Sequence, residues 1–474
     1  MRLPVGISWT NAVCVLLLVG LATRDAGAVC GNEEEHFLHR ARSLVEEGEA
    51  GRALSVLRDG LESSPEEVQG WLLVGRILGE LGGYEGAVEA YGRVARDLPL
   101  LGDCALLLRS DLALEQGRTA DAESGYRDAL REFPGSPHAR RALLGLGRAA
   151  SAEGHWRRAA EALDEFLARR GSKEETIEAL QLLAAARLAE DDWLGAQAAY
   201  YELWKDHPGS EEAAMAAEAL EFLRTTQGLV PPVLTPEQRF GRAERLRRAG
   251  SLNQAAAEFE KIVRSSPECE LVPEAVYERG MIYFRLGENG RAMECLKSLV
   301  KRYPASGAAP DGLYLMARIH WRKGFRHRFL SACEDVLERY PDTRAAENAQ
   351  FALGVFYMER NKRDKALAAF HGTISGDPSH SRRHDSLWKL GWLEYRDERF
   401  EEAFASFSLL ATEATSGYRK ASLYWSARCQ EKLGNREEVE EILRRVAASY
   451  LGDHYGIQAG ERLLAMGAGD IGDR

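Results

Sequence analysis

Residues 287–304 read GENGRAMECLKSLVKRYP, and three positions in that stretch decide the fold. Gly287, Ala292 and Pro304 stand five and then twelve residues apart. The same triplet occurs 37 residues earlier as Gly250, Ala255 and Pro267. It occurs near the start as Gly48, Ala53 and Pro65, then Gly82, Ala87 and Pro99, then Gly117, Ala122 and Pro134, at steps of 34 and 35. Gly324 and Pro341 continue the 37-residue step, followed by Pro378, and further copies centre on Ala159, Ala196, Ala366 and Ala403. Val439 takes the Ala position in a last copy. A period of this size is that of a helix pair.

Each position has a physical reason. The Gly closes the first helix, because a left-handed residue caps it there without a Cβ clash. The Ala marks the crossing of the two helices, where a large side chain would overpack the contact. The Pro follows the second helix, since it has no N–H for the next hydrogen bond. Apolar residues between them recur at helical spacing, as in Phe351, Val355 and Met358 or Trp388, Trp392 and Tyr395. One pair cannot bury its own apolar stripe, so neighbours must stack. The fold class expected is all-α, a right-handed superhelix of helix pairs.

The chain of 474 residues carries a formal charge of −11 and has a pI near 5.7. An acidic chain lacks the electrostatic footprint of nucleic-acid binding, which is not expected. Arg2, the apolar run Ala12–Ala22 and the small residues Ala26-Gly27-Ala28 read as a secretory signal over residues 1–28, with a mature chain beginning near Val29. The run is shorter than the ~20 apolar residues a membrane span needs, and no other stretch is a candidate. Export to a bacterial periplasm is expected. Lipid anchoring at Cys30 stays open, although Val29 stands where such signals carry Gly, Ala or Ser. Six cysteines follow the signal, without a CxxC pair or the Cys/His spacing of a zinc site. Cys295 and Cys333, at neighbouring helical positions one repeat apart, read as small core residues.

The repeat positions resemble the tetratricopeptide family over roughly residues 36–448. Tyr84 and Tyr91 around Ala87, and Gly280 and Tyr283 ahead of Gly287, match its further sites. Two departures stand out. Phe329 occupies the small-residue position between Gly324 and Pro341, so that pair is expected to open or shift. Pro231, Pro232 and Pro236 interrupt the array. Residues 226–236 read as a linker or hinge between repeats 29–225 and 237–465, or else as a longer loop inside one rigid array; residues 466–474 read as a tail.

Arg302-Tyr303-Pro304 with Ser306 and Ala308, and Arg339-Tyr340-Pro341 with Thr343 and Ala345, resemble tetratricopeptide proteins of the bacterial envelope. The segment Leu423–Arg428 and then His454-Tyr455-Gly456 with Ala459, Glu461, Arg462 and Leu463 resembles the end of the helical part of soluble lytic murein transglycosylases. The residues after Leu463 are too few for a catalytic domain, so transglycosylase activity is not carried over. Carboxylate groups such as Glu33-Glu34-Glu35 and Asp191-Asp192 read as solvated faces. No HExxH, G-x-S-x-G or phosphate-binding glycine loop occurs. The expectation is a scaffold rather than an enzyme, with no cofactor and no metal.

The candidate partner site lies in the back half. Phe240, Tyr277, Tyr314, Phe351 and Trp388 stand 37 residues apart, with Tyr424 following; a second row holds Phe284, Trp321, Met358 and Tyr395. Arg285, Arg322 and Arg396 adjoin that row. Tyr277, Tyr314, Trp321, Arg322, Phe351, Trp388, Trp392 and Tyr395 are the residues expected to hold a protein or peptide partner of the envelope, or peptidoglycan or a murein enzyme. In the family the same positions also pack neighbouring helices.

Overall fold

A computed structural model describes residues 37–169, 171–375, 381–414, 417–450 and 452–467. The segment read as a signal, Cys30 and residues 468–474 lie outside the described residues. Among the described residues the chain forms 24 α-helices and one short 3-10 turn, with no strand. It divides into two compact units, Met1–Val233 and Leu234–Arg474.

The first unit holds five helix pairs: α1 (Phe37–Glu46) with α2 (Ala50–Ser63), α3 (Gly70–Glu80) with α4 (Tyr84–Asp97), α5 (Gly102–Glu115) with α6 (Thr119–Glu132), α7 (Ala139–Ala152) with α8 (Trp156–Leu167), and α9 (Lys173–Ala189) with α10 (Trp193–Asp206). A single helix, α11 (Glu211–Gln227), closes it. The second unit holds six: α12 (Pro236–Arg248) with α13 (Leu252–Ser265), α14 (Val272–Arg285) with α15 (Asn289–Arg302), α16 (Ala308–Arg322) with α17 (Arg326–Arg339), α18 (Arg344–Met358) with α19 (Arg363–Ile374), α20 (Ser381–Arg396) with α21 (Phe400–Glu413), and α22 (Gly417–Leu433) with α23 (Arg436–Ser449). The helix α24 (His454–Ala465) packs on α23.

The turn inside each pair is a left-handed stop. Gly287 has φ of +81°, and the Glu288 N–H donates to the Tyr283 carbonyl at 2.9 Å, which satisfies a carbonyl left open at the helix end. Gly48, Gly82, Gly117, Gly154, Gly250, Gly324 and Gly434 repeat the positive φ. In three pairs the position is filled by Asp191, Asn361 and Glu398, at φ of 55°, 56° and 59°.

The non-helical stretch between the units is narrower than residues 226–236. Thr226 and Gln227 complete α11, and Gly228 at φ of +68° stops it. Thr235 caps α12 through its side chain, in a reciprocal bond with Gln238, and Pro236 sits where a helix tolerates proline. Residues 228–235 are therefore the connection.

The crossing position behaves as its size requires. Ala53, Ala87, Ala122, Ala159, Ala196, Ala255, Ala292, Ala366 and Ala403 are each 0% exposed. One turn later stands a large residue, such as Tyr91, Leu163, Leu296, Phe370 or Phe407, and twelve residues before the Ala stands Gly75, Gly147, Gly280, Gly354 or Gly391. The large side chain lies over the glycine; a Cβ on Gly391 would come within 2.8 Å of the Phe407 ring. The pair holding Phe329 reverses the sizes instead of opening. Phe329 is fully buried, the next-turn residue shrinks to Cys333, and the first-helix position is Ala317, all in one core cluster. The bulk is thus redistributed along the two helices, which cores tolerate when the neighbours change with it. Burial pushes the Cys333 thiol up to about 12, so it stays protonated.

Polar ties run within and between the pairs. Arg148 forks onto Glu178 with both nitrogens at 2.6 Å, and Tyr126 Oη donates to Asp111 at 2.5 Å while Arg141 holds its other oxygen. In the second unit the buried Glu258 accepts from Arg239 at 2.8 Å and Lys261 at 2.9 Å, and pairs with the buried Arg242 at 3.1 Å. The Arg148–Glu178 and Arg141–Asp111 ties join neighbouring pairs, while the Tyr126 and Glu258 ties join the two helices of one pair.

Candidate partner-binding face

In the second unit the first helices of successive pairs touch directly: α14 with α16, α16 with α18, α18 with α20, and α20 with α22. Repeat positions 37 residues apart therefore become neighbours on one face. Tyr277, Tyr314, Phe351 and Trp388 occupy the same register on α14, α16, α18 and α20, and each is half-buried.

Their surroundings differ. Tyr277 packs into the core shared with Val276 and Tyr283. Burial raises its phenol pKa, and the Asp311, Glu278 and Glu274 carboxylates add to the rise. Burial likewise raises Tyr314. The Phe351 ring lies 5.8 Å from Phe370 and carries the Arg382 guanidinium 4.8 Å above it. Trp388 sits among Phe407 at 5.5 Å, Tyr418 at 5.7 Å and Trp392 at 6.0 Å. Tyr418 donates its hydroxyl to Asp385 at 2.8 Å.

The second row is tied into the scaffold. Trp321 stands edge-on to Phe329 at 4.6 Å and to Phe356 at 5.9 Å. Trp392 lies 4.2 Å from Trp425, and Tyr395 lies 5.3 Å from Trp425 and 5.4 Å from Phe400. Arg322 lies over the Phe284 ring at 4.0 Å and donates to the Phe284 carbonyl and to Asn289. Its donors are thus engaged with the preceding pair. The structure brings Tyr314 and Trp321 into one core cluster and Trp388, Trp392 and Tyr395 into another.

The sequence reading did not single out the acidic groups beside the first row. Glu274, Glu278 and Asp311 all have raised pKa values, with burial the largest cause in each. Glu278, Asp311 and Glu244 raise Glu274 further, and no cation lowers it. Arg247 offsets part of the Glu278 shift and Arg344 part of that of Asp311. The face is thus acidic beside Tyr277, whereas at Phe351 the Arg382 cation is paired with Asp385 at 2.8 Å. Their signal was present in sequence, since Glu274 and Asp311 are 37 residues apart.

Among the described residues, no group of three or more His, Cys, Asp or Glu side chains has the arrangement to hold a metal ion. No helix among them is long and apolar enough to cross a membrane.

A family model for the tetratricopeptide repeat matches residues 38–100, 107–151, 240–307 and 351–418, and a second tetratricopeptide-repeat model matches 421–450. Among solved structures, yeast Tom70 is similar at 13% identity, over 91% of this chain and 95% of its own, with a TM-score of 0.35. The Pseudomonas aeruginosa protein pilF is similar at 14% identity, over 50% of this chain and 94% of its own, with a TM-score of 0.30. No curated protein matches.

Proposed function

Because the chain belongs to the tetratricopeptide-repeat family, we infer that it is an interaction scaffold, exported to the cell envelope, that holds a protein partner on the first-helix face of its second unit. One observation carries the choice of face. Four half-buried aromatics in register are flanked by carboxylates that burial leaves raised in pKa, Glu274 further by the charges of Glu278, Asp311 and Glu244. Placing a cation near Glu274 and Asp311 relieves that repulsion, while the aromatics supply apolar area. An extended or helical segment with basic residues has this chemistry. The activity proposed is binding alone. Release of sugar fragments from peptidoglycan by the purified protein would overturn that part.

Capture from an envelope fraction tests the scaffold, with the wild type compared against a Glu274→Gln/Asp311→Asn variant. Loss of two paired charges is expected to weaken retention of one defined partner about tenfold, and retention should fall as salt rises. Equal capture by both proteins would remove this face from the reading. Export is tested separately by fractionation and by the N-terminal sequence of the mature chain, expected near Val29.

A second reading, a non-catalytic helical platform of a murein transglycosylase system, is favoured by the segment that forms α24. Arg462 on α24 bonds Tyr424 at 3.1 Å and Glu431 on α22, so the segment is integral to the last repeat. Retention of peptidoglycan or a murein enzyme in the same capture, with no other partner, would select this reading.

A further inference from the structure

Away from the first-helix face, α15 to α17 line an open recess of about 330 Å³. Met293 and Lys297 of α15, Ile319 and His320 of α16, Lys323 in the turn, and Phe325 and Arg328 beside and on α17 line it. No lining residue is acidic, and from residue 312 to residue 333 the chain has no Asp or Glu while carrying Arg318, Arg322, Lys323, Arg326 and Arg328. Among the described residues, Lys297, Lys323 and Arg328 form no ion pair with a carboxylate; Arg328 lies 5.4 Å from the ring of Phe325, which is 46% exposed. His320 places a buried Nδ1 there without a hydrogen-bond partner.

The equivalent recess one repeat later shows what is missing. Arg326, His327, Leu330, Phe356, Glu359, Arg360 and Lys362 line it, and Arg360 replaces Lys323 at the 37-residue step. There Glu359 supplies a counter-charge, 3.6 Å from Arg360. In the α15–α17 recess the positive groups have none, and an orphaned buried donor or acceptor costs ~1–3 kcal/mol.

We propose that the α15–α17 recess is a binding site for an oxyanion of the phosphate or sulfate type, carried on a group with apolar surface. Lys297, Lys323 and Arg328 supply charge, His320 Nδ1 supplies a directed hydrogen bond, and Met293, Ile319 and Phe325 take the apolar part. The site is coupled to pH. Burial, then Arg328, Lys297 and Lys323, hold His320 below its ordinary 6.5. A bound oxyanion cancels the field of those cations, so His320 gains a proton when the site fills. Affinity therefore rises as pH falls.

Sulfate is the probe, because its own charge does not change over the range in which histidine titrates, about pH 5–8. The full chain is titrated in sodium sulfate and in sodium chloride at equal ionic strength, following the imidazole C–H signals, with His320 assigned through His320→Gln. The expected result is a higher His320 midpoint in sulfate. It should vanish in Lys297→Gln/Arg328→Gln, with sulfate binding about tenfold weaker. Both side chains are exposed, so circular dichroism should be unchanged. Equal midpoints in the two salts, or a sulfate shift that survives the double variant, would overturn the site. Co-sedimentation with phosphatidylglycerol vesicles, against phosphatidylcholine, then names the source. Binding that the double variant loses assigns the oxyanion to a lipid headgroup; sulfate binding without vesicle binding assigns it to a soluble ligand.

Discussion

The Phe370 ring fills the space that a side chain on Gly354 would need, coming within 2.5 Å of the point where its Cβ would sit. The small residue on the first helix and the large one on the second are therefore one structural unit.

Gly354→Ala is expected to destabilise the second unit. In an unconstrained helix the change gains up to ~1 kcal/mol, but overpacking costs ~1–3 kcal/mol, and the cost wins. Gly92→Ala on α4 is the control, since only Arg96 at 3.5 Å lies near its added Cβ. Chemical denaturation should show a lower midpoint for the first variant and a higher one for the second.

Phe329→Ala should cost about 3–5 kcal/mol as a cavity. Adding Cys333→Phe together with Ala317→Gly restores the size order found in the neighbouring pairs and should recover at least about half of the loss. A mutant cycle between Phe329→Ala and the Ala317→Gly/Cys333→Phe pair measures the coupling; simple additivity would mean that the three positions do not share one space.

Glu398→Gly should stabilise the chain by about 0.5–1 kcal/mol, because Glu398 is held at φ of 59° and is exposed. Asn361→Gly should gain less, since asparagine tolerates that conformation better. Thermal melting of the two variants gives the order.

Glu394 is buried against α21, accepts from Ser406 at 2.7 Å, and has a raised pKa whose largest cause is burial. A carboxyl with a folded pKa above its unfolded value favours folding while protonated. That advantage is lost as pH rises from the ordinary value of 4.5 through the folded one. Glu394→Gln should therefore be more stable than the wild type at pH 7, by on the order of 1 kcal/mol. The difference should shrink toward pH 4. Denaturation midpoints at the two pH values test the sign.

Trp392→Ala should destabilise the second unit by about 3 kcal/mol, because its ring packs at a tilt against Trp425 with the ring centres 4.2 Å apart. Near-ultraviolet circular dichroism and a denaturation curve report this directly. Loss of partner capture in that variant without loss of stability would instead place the ring in the binding face.

The helix pairs were legible because Gly, Ala and Pro each serve a backbone need that few other residues meet. Asp191, Asn361 and Glu398 hid the same turn, since a left-handed backbone can be imposed by the helices on either side. The exchange between Phe329 and Cys333 was hidden for a related reason. Read alone, Phe329 violates the crossing rule; its compensation lies one helical turn away and opposite Ala317. At the candidate face, the aromatic rows followed from the period. Which rings meet, as Trp392 meets Trp425, depends on how α20 and α22 pack, and a repeat period does not encode that. The acidic character beside Tyr277 depends on burial, which spacing alone leaves unspecified.

The size match between the glycine, the crossing residue and the large residue one turn later is contained within a single repeat. A duplicated or transplanted 37-residue cassette thus carries its own lock and key at the crossing, and only its contacts with the neighbouring repeats must be matched in the recipient. Arrays of this kind can lengthen by copying. The cassette holding Phe329 and Cys333 shows that the lock can be recut, provided both halves change together.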